Sequence, residues 1–492
     1  MRSKVVSALG LSLVSLSFAC YFAVVFAAYW LLRSGRAQKW LLTVASYLFY
    51  GFFDYRFCLL LLVASVLGLG LARRVEKAST ASARKGLLAT GLTLNVLVLG
   101  VFKYFDFFSE AGAEFLSRLG FGVDAPTLGL VMPIGLSFYL FKIMSYQIDA
   151  YRSKQPADGA ALDFIVYVAF FPQLLSGPVD RASTFLPQLQ GKRSLDYSLA
   201  VEGTRQVLWG LFKKLALADG VAVIVSSIMG DYQTAHGPEL AFGAVLFSIQ
   251  IYCDFSGYTD ISIGVSKLLG FRPMRNFAYP YFSQNVAEFW RRWNISISSW
   301  FRDYVYIPLG GSRVRRSRLL GNIFVTFLLS GLWHGAGFTF LAWGGMLGLG
   351  VSFTAMRRRP VLRASDTPGG ERLTLASFAR MLATFAFISL SWVFFRSASL
   401  SEAAGIVTRI LTPSFDPDAW LVPVTWLKQM GLLTVALGGF VVVEWLQRRR
   451  EVALELSSRW RFARWAAYTA TLWLTILLYN PGLSGAFLYY RF

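Results

Sequence analysis

The chain has 492 residues, 55% of them hydrophobic and only 15% charged, against roughly a quarter charged in an ordinary soluble protein. Its 15 Trp, 22 Tyr and 43 Phe form an aromatic load suited to membrane–water interfaces. The formal charge of +21 does not point to nucleic acid, because Arg and Lys sit in short links between apolar runs, as at Arg73-Arg74, Arg84-Lys85, Arg357-Arg358-Arg359 and Arg448-Arg449-Arg450, and no compact basic domain is present.

That distribution is the positive-inside pattern, with the lipid bilayer as the first partner. The length would allow several soluble domains. Apolar runs recur along nearly all of it, however, so residues 1–492 read as one integrated membrane domain with its core at about 130–355.

Met1-Arg2-Ser3-Lys4 opens an apolar run that continues to Leu32, too long for a cleaved signal segment and about right for a span. Leu16-Ser-Phe-Ala-Cys20 matches a lipoprotein cleavage site only loosely, so the segment is expected to stay uncleaved. Cys20, Cys58 and Cys253 all lie in apolar runs without a CxxC pair; they are expected to be buried small hydrophobes and not a disulfide framework.

The apolar stretches centre near 10–32, 40–53, 57–71, 87–105, 128–147, 162–178, 206–228, 240–268, 319–333, 338–355, 376–396, 429–446 and 465–480. Since a span takes about 20 residues, they predict an all-α polytopic protein with about ten to twelve transmembrane helices plus re-entrant and interfacial ones. Pro172 and Pro178 make 162–178 the re-entrant candidate, where irregular backbone must be shielded by protein. The basic stretch 73–85 is expected to face the cytoplasm and the acidic 106–126 the outside. Counting outward from these and from the basic links 357–372 and 447–464 puts both termini and 397–427 outside.

The segment 283–345 is the informative one. From Asn285 to Ile307 there is no Gly or Pro, and Asn285 with Glu288 has N-cap and N3 spacing. At about 100° per residue, Phe289, Trp290, Trp293, Ile297, Trp300, Phe301 and Tyr304 share one face. Arg291, Arg292, Ser296, Ser298, Ser299, Arg302 and Asp303 share the other, and Asn294 falls between the two. This predicts an amphipathic helix at the cytoplasmic interface. A turn at Pro308-Leu-Gly-Gly-Ser312 leads to Arg313, Arg315, Arg316 and Arg318, suited to lipid contact and to an anionic donor.

Between Arg318 and Arg357 the one ionisable side chain is His334, in Ser330-Gly-Leu-Trp-His-Gly-Ala-Gly337. An ionisable residue inside the membrane is costly to bury, which makes it a functional candidate; the competing role is a neutral histidine bridging two helices. The other histidine, His236, lies in an expected external loop, so no zinc site forms. With no GxSxG elbow or Walker loop, a lone histidine in a dry site suits general-base activation of a hydroxyl. Asp254 and Asp260, in an apolar helical region, each need a partner. For these and for Gln173 and Ser176 in the re-entrant candidate, a role in helix packing is the simpler reading.

Taken together, Phe289-Trp-Arg-Arg-Trp-Asn-Ile-Ser-Ile-Ser-Ser-Trp-Phe-Arg-Asp-Tyr304, Tyr306-Ile-Pro-Leu-Gly-Gly311 and Gly331-Leu-Trp-His-Gly335 resemble the membrane-bound O-acyltransferase family, in its bacterial alginate O-acetyltransferase-like branch. Pro133-Ile-Gly-Leu-Ser-Phe-Tyr139, Tyr146-Gln-Ile-Asp-Ala-Tyr-Arg152, Phe171-Pro-Gln-Leu174 with Gly177-Pro178, and Asp254-Phe-Ser-Gly-Tyr258 follow in the same order, so the resemblance covers nearly the whole chain.

The resemblance implies helices around a central funnel in the bacterial inner membrane, with a site reached from the cytoplasm. It makes His334 the catalytic histidine and places Asn294 at the second signature position, where the polysaccharide-modifying branch usually has His. An amide there can orient a thioester carbonyl but cannot act as a base. The implied donor is acetyl-CoA, used as a substrate with no bound cofactor and no metal, and Trp293, Ser296, Ser298, Arg302, Trp333, Asp254 and Gln173 are the candidate donor-binding residues. The acceptor is a glycan hydroxyl or a relay residue on a periplasmic acetyltransferase partner, for which the ending Phe487-Leu-Tyr-Tyr-Arg-Phe492 offers a docking tail. The rivals are D-alanyl or other acyl transfer from a carrier protein, a proton-coupled transporter, and an idle scaffold for a partner enzyme.

Overall fold

The computed structural model describes residues 11–154, 156, 157, 159–357, 374–451, 454, 455 and 461–481. The expectations for Met1–Lys4, Arg358, Arg359 and the tail Phe487–Phe492 lie outside these. Among the described residues the regular structure is entirely helical. It forms two compact units, one running to Ala200 with Val265–Met274 added, the other comprising Val201–Gly264 and everything from Arg275 onward.

In the first unit, helices Leu16–Leu31, Gly35–Asp54 and Arg56–Lys77 are followed by Ala81–Leu99, which runs through a π turn at Gly100–Tyr104 into Phe105–Arg118. Thr80 starts the fourth of these by accepting the Ala83 amide at 3.2 Å, the usual work of an N-cap threonine. Leu59, Val66, Leu67, Leu94, Val96 and Leu97 are exposed, as a lipid-facing surface requires. Helix Leu136–Tyr151 is almost wholly buried instead. It is held by polar contacts: Gln147 donates to the Gly68 carbonyl at 3.3 Å and accepts from Asn95 at 3.3 Å.

The re-entrant candidate is broken as expected. Helix Ala161–Ala169 stops at Phe170, a single turn Phe171–Leu174 follows, and residues 166–180 are all buried. Backbone irregular at that depth needs internal partners, and they are present. Phe171 N donates to Ser46 Oγ at 3.1 Å, Gly177 N to the Gln173 carbonyl at 3.1 Å, and Met274 N to Asp180 Oδ1 at 2.9 Å. Lys142 Nζ donates to the Tyr167 carbonyl at 3.1 Å and to Gln173 Oε1 at 3.0 Å, and Gln173 Nε2 donates to Asp180 Oδ2 at 2.6 Å.

The second unit holds the long buried helix Gly237–Leu268 as far as Gly264, the hairpin of Arg316–His334 and Phe338–Arg357, and helices Leu375–Arg396, Leu400–Leu411 and Arg461–Leu478. Pro417–Met430 and Leu432–Gln447 meet at 95° around Gly431, whose φ of 50° suits glycine. The partners that Asp254 and Asp260 require come from a π turn, Phe212–Ala218. Lys214 lies 2.6 Å from Asp254 and 2.8 Å from Asp219, and Lys213 lies 2.5 Å from Asp260 and 2.8 Å from Ser256 Oγ.

Two helices of the hairpin touch backbone to backbone. A Cβ on Gly331 would press on the Phe340 carbonyl and lie 3.1 Å from Gly344 Cα, the close approach that small residues allow between membrane helices. Gly331→Ala is therefore expected to destabilise the protein by about 1–3 kcal/mol through overpacking, read as a lower thermal midpoint in lipid or detergent. An unchanged midpoint would show that the hairpin can open.

Against the ten to twelve spans expected, five helices among the described residues are long and apolar enough to cross a membrane, six if the bent pair counts as one span. The remaining apolar stretches lie on shorter, interrupted or more polar helices, such as Tyr197–Leu211 with its π turn. The cysteines also depart from expectation: Cys253 is buried, Cys58 is partly so and Cys20 is exposed on helix Leu16–Leu31. An apolar run sets which residues tolerate lipid, not which of them face protein.

Candidate active site

The cap at Asn285 forms as the spacing predicts: its side chain accepts the Glu288 amide at 2.9 Å, while Glu288 Oε2 accepts from Gln284 N at 2.9 Å. Glu288 also pairs with Arg292 at 2.5 Å. Burial pulls the Arg292 guanidinium below its ordinary value and Glu288 opposes the shift, so the side chain remains a cation.

The single amphipathic helix over 285–307 does not form. The segment breaks into Val286–Arg292 and Ile295–Phe301, followed by a π turn at Arg302–Tyr306. Asn294 stands at the break in the left-handed region, at φ 43° and ψ 56°, a conformation Asn adopts more readily than other side-chain-bearing residues. The break turns Ser296, expected on the polar face, and Asn294, expected between the faces, inward: each is 1% exposed. The aromatic face is buried as far as Phe301, while Arg291, Arg292, Ser298, Ser299, Arg302 and Asp303 stay partly exposed.

The Asn294 amide has unusual surroundings. Neither its Oδ1 nor its Nδ2 has a hydrogen-bond partner among the described residues, and the same holds for Ser296 Oγ and Trp293 Nε1. A buried polar group left unpaired costs about 1–3 kcal/mol. The break thus gathers four buried polar atoms without a partner among the described residues, each of which calls for an explanation.

His334 ends helix Arg316–His334 and is buried. Its ring meets Trp333, Trp343 and Phe395 edge to face, at centroid distances of 4.7, 4.9 and 5.6 Å. From Trp343 the aromatic wall continues to Trp392 at 5.4 Å and on to Trp293 at 5.1 Å, with Trp290 also 5.6 Å from Trp343. The ladder Trp293–Trp392–Trp343–His334 thereby ties the break at Asn294 to the histidine. A neutral imidazole in such dry walls is a competent base for a hydroxyl proton.

Of the residues marked from sequence, His334, Trp333, Trp293, Asn294 and Ser296 lie along this wall or on the break beside it. Ser298 Oγ donates to the Trp293 carbonyl at 3.0 Å and so supports the break. Arg302 pairs with its neighbour Asp303 at 2.8 Å and is partly exposed. Asp254 pairs with Lys214, and both ends of the Gln173 amide are hydrogen-bonded between Lys142 and Asp180. Trp343, Trp392 and Phe395 were not anticipated. The pair Trp392 and Phe395, three apart on one helix, is the one local signal for them.

These features define a class: a multi-pass membrane protein in which one aromatic wall runs from a buried histidine to the neighbour of a buried, unpaired amide. Residues 138–397 match the model of the membrane-bound O-acyltransferase family, and the chain belongs to that family and is an acyltransferase. It is 36% identical to the probable alginate O-acetylase AlgI of Pseudomonas aeruginosa, over 78% of this chain and 72% of the relative. It is 32% identical to the peptidoglycan O-acetyltransferase of Helicobacter pylori, over 74% and 72%. The teichoic acid D-alanyltransferase of Bacillus subtilis is 28% identical over 44% of this chain and 58% of its own length.

Proposed function

We propose that the protein O-acetylates an extracytoplasmic glycan from the bacterial cytoplasmic membrane, taking the acetyl group from acetyl-CoA and passing it to a sugar hydroxyl, directly or through a relay residue on a periplasmic partner. The observation that carries this reading is the continuous aromatic wall from the buried His334 to Trp293, the neighbour of the unpaired Asn294 amide. The imidazole takes the hydroxyl proton as the oxygen attacks the thioester carbonyl. Asn294 Nδ2 donates to the carbonyl oxygen as it gains charge. The C–S bond breaks, the C–O ester bond forms, and the proton passes from the imidazolium to the leaving thiolate.

The two acetyl-transferring relatives align over about three quarters of this chain and the D-alanyl one over less than half, which favours acetyl over D-alanyl transfer. The test is full-length protein in lipid vesicles given acetyl-labelled CoA and, separately, a D-alanyl carrier-protein thioester, with a periplasmic extract as acceptor. Label from acetyl-CoA reaching protein or glycan supports the proposal. Transfer from the D-alanyl donor alone overturns it.

The walls beside His334 are rigid and bulky, which suits a short acyl group. Trp343→Ala is expected to raise propionyl and butyryl transfer relative to acetyl by about tenfold, since a methylene in an apolar pocket discriminates by roughly 10–200-fold. Competition between the three CoA thioesters measures this. An unchanged preference would place the acyl group elsewhere.

A further inference from the structure

We infer that Asn276 is a positioning residue for the acyl-transfer site, one that takes over the capping of helix Ile295–Phe301 and thereby leaves the Asn294 amide available to the donor. This rests on the reading of Asn294 as the group that holds the thioester carbonyl.

Asn294 occupies the N-cap position of that helix. An asparagine there ordinarily turns its own side-chain oxygen onto the amide of the second or third helical residue. In this protein it makes no such bond. Asn276 makes it instead: its Oδ1 accepts from Ser296 N at 3.0 Å and its carbonyl accepts from Ile295 N at 2.9 Å. Two residues further on, Ala278 N donates to the Arg292 carbonyl at 2.9 Å. Asn276 and Ala278 therefore grip the chain on both sides of Trp293 and Asn294, and Asn276 is itself 1% exposed.

The consequence is a division of labour between two asparagines. The helix start is satisfied by Asn276, the left-handed turn is held open, and both polar atoms of Asn294 stay buried without a partner among the described residues. Without the Asn276 oxygen, the Ser296 amide is a buried donor with nothing to accept it. A rotation of Asn294 onto its own helix, with its backbone relaxing out of the left-handed region, supplies that acceptor. The amide is then satisfied locally and lost to the substrate.

The experiment is a double-mutant comparison in the vesicle assay, with steady-state kinetics on acetyl-CoA. Asn294→Ala is expected to lower kcat by about 10²-fold, the usual size of losing an oxyanion donor. Asn276→Ala is expected to lower kcat by at least about tenfold with KM little changed, and the double variant to be no slower than Asn294→Ala alone. Asn276→Asp, which keeps the acceptor oxygen, is expected to retain most activity. Should the alanine protein fail to assemble, Asn276→Ser, a polar group of shorter reach, carries the same comparison. An Asn276→Ala protein as fast as wild type, or a double variant slowed by the product of both single losses, overturns the inference while leaving the role of Asn294 standing. An Asn294→Ala protein with full transfer overturns that role and the inference with it.

Discussion

Replacing His334 by alanine is expected to lower the turnover of acetyl transfer by about 10²–10⁴-fold, the usual contribution of a positioned general base, with KM for the donor little changed. The argument is one of substitutes. Between Arg318 and Arg357 the two hairpin helices carry no other ionisable side chain, and the imidazole's ring neighbours include Trp333, Trp343 and Phe395, none of which accepts a proton. Nor can the Asn294 amide serve, because it does not ionise near neutral pH. His334→Gln separates chemistry from packing: it keeps a planar polar group of similar reach and is expected to be folded and equally slow. Rates within about threefold of wild type in either variant, with normal thermal stability, would remove His334 from the mechanism and return it to the role of a histidine that bridges helices.

How much of this was open to a sequence reader depends on the range of the interaction. Local rules succeeded locally: the Asn285 cap, the interruption at Pro172, and the need of Asp254 and Asp260 for partners all appear as read. The break at Asn294 did not show, because apolar periodicity runs across it without a Gly or Pro. What decides it is Asn276, eighteen positions upstream, pairing with the backbone of Ile295 and Ser296. The aromatic wall joins residues from Trp290 to Phe395 on four helices, so no window of sequence contains it. Lys213 and Lys214 are a different case. They stand inside an apolar stretch, and the rule that singled out His334 applies to them equally. Gln173, also buried and polar, is hydrogen-bonded at both ends of its amide.

The second large effect is expected at Lys214. Its side chain is 2% exposed, as is that of Asp254, and Asp219 is 8% exposed. Lys214→Met preserves length and apolar bulk but leaves two buried carboxylates facing each other's charge without their cation. Removing one partner of a buried ion pair costs about 3–5 kcal/mol, mostly as the penalty on the charge left behind. The variant is expected to accumulate poorly and to unfold at a markedly lower temperature, while the fraction that does assemble keeps its turnover per folded molecule, because Lys214 bonds Asp219 and Asp254 and none of the three belongs to the break at Asn294 or the wall at His334. Adding Asp219→Asn and Asp254→Asn to Lys214→Met removes the stranded charges and is expected to recover a large part of the loss. That recovery distinguishes an electrostatic anchor from a substrate contact, since neutralising three groups of a binding site would deepen a functional defect. A Lys214→Met protein with wild-type stability and lowered turnover would transfer the π turn at Phe212–Ala218 from the scaffold to the chemistry, in keeping with the tendency of such turns to sit at functional sites.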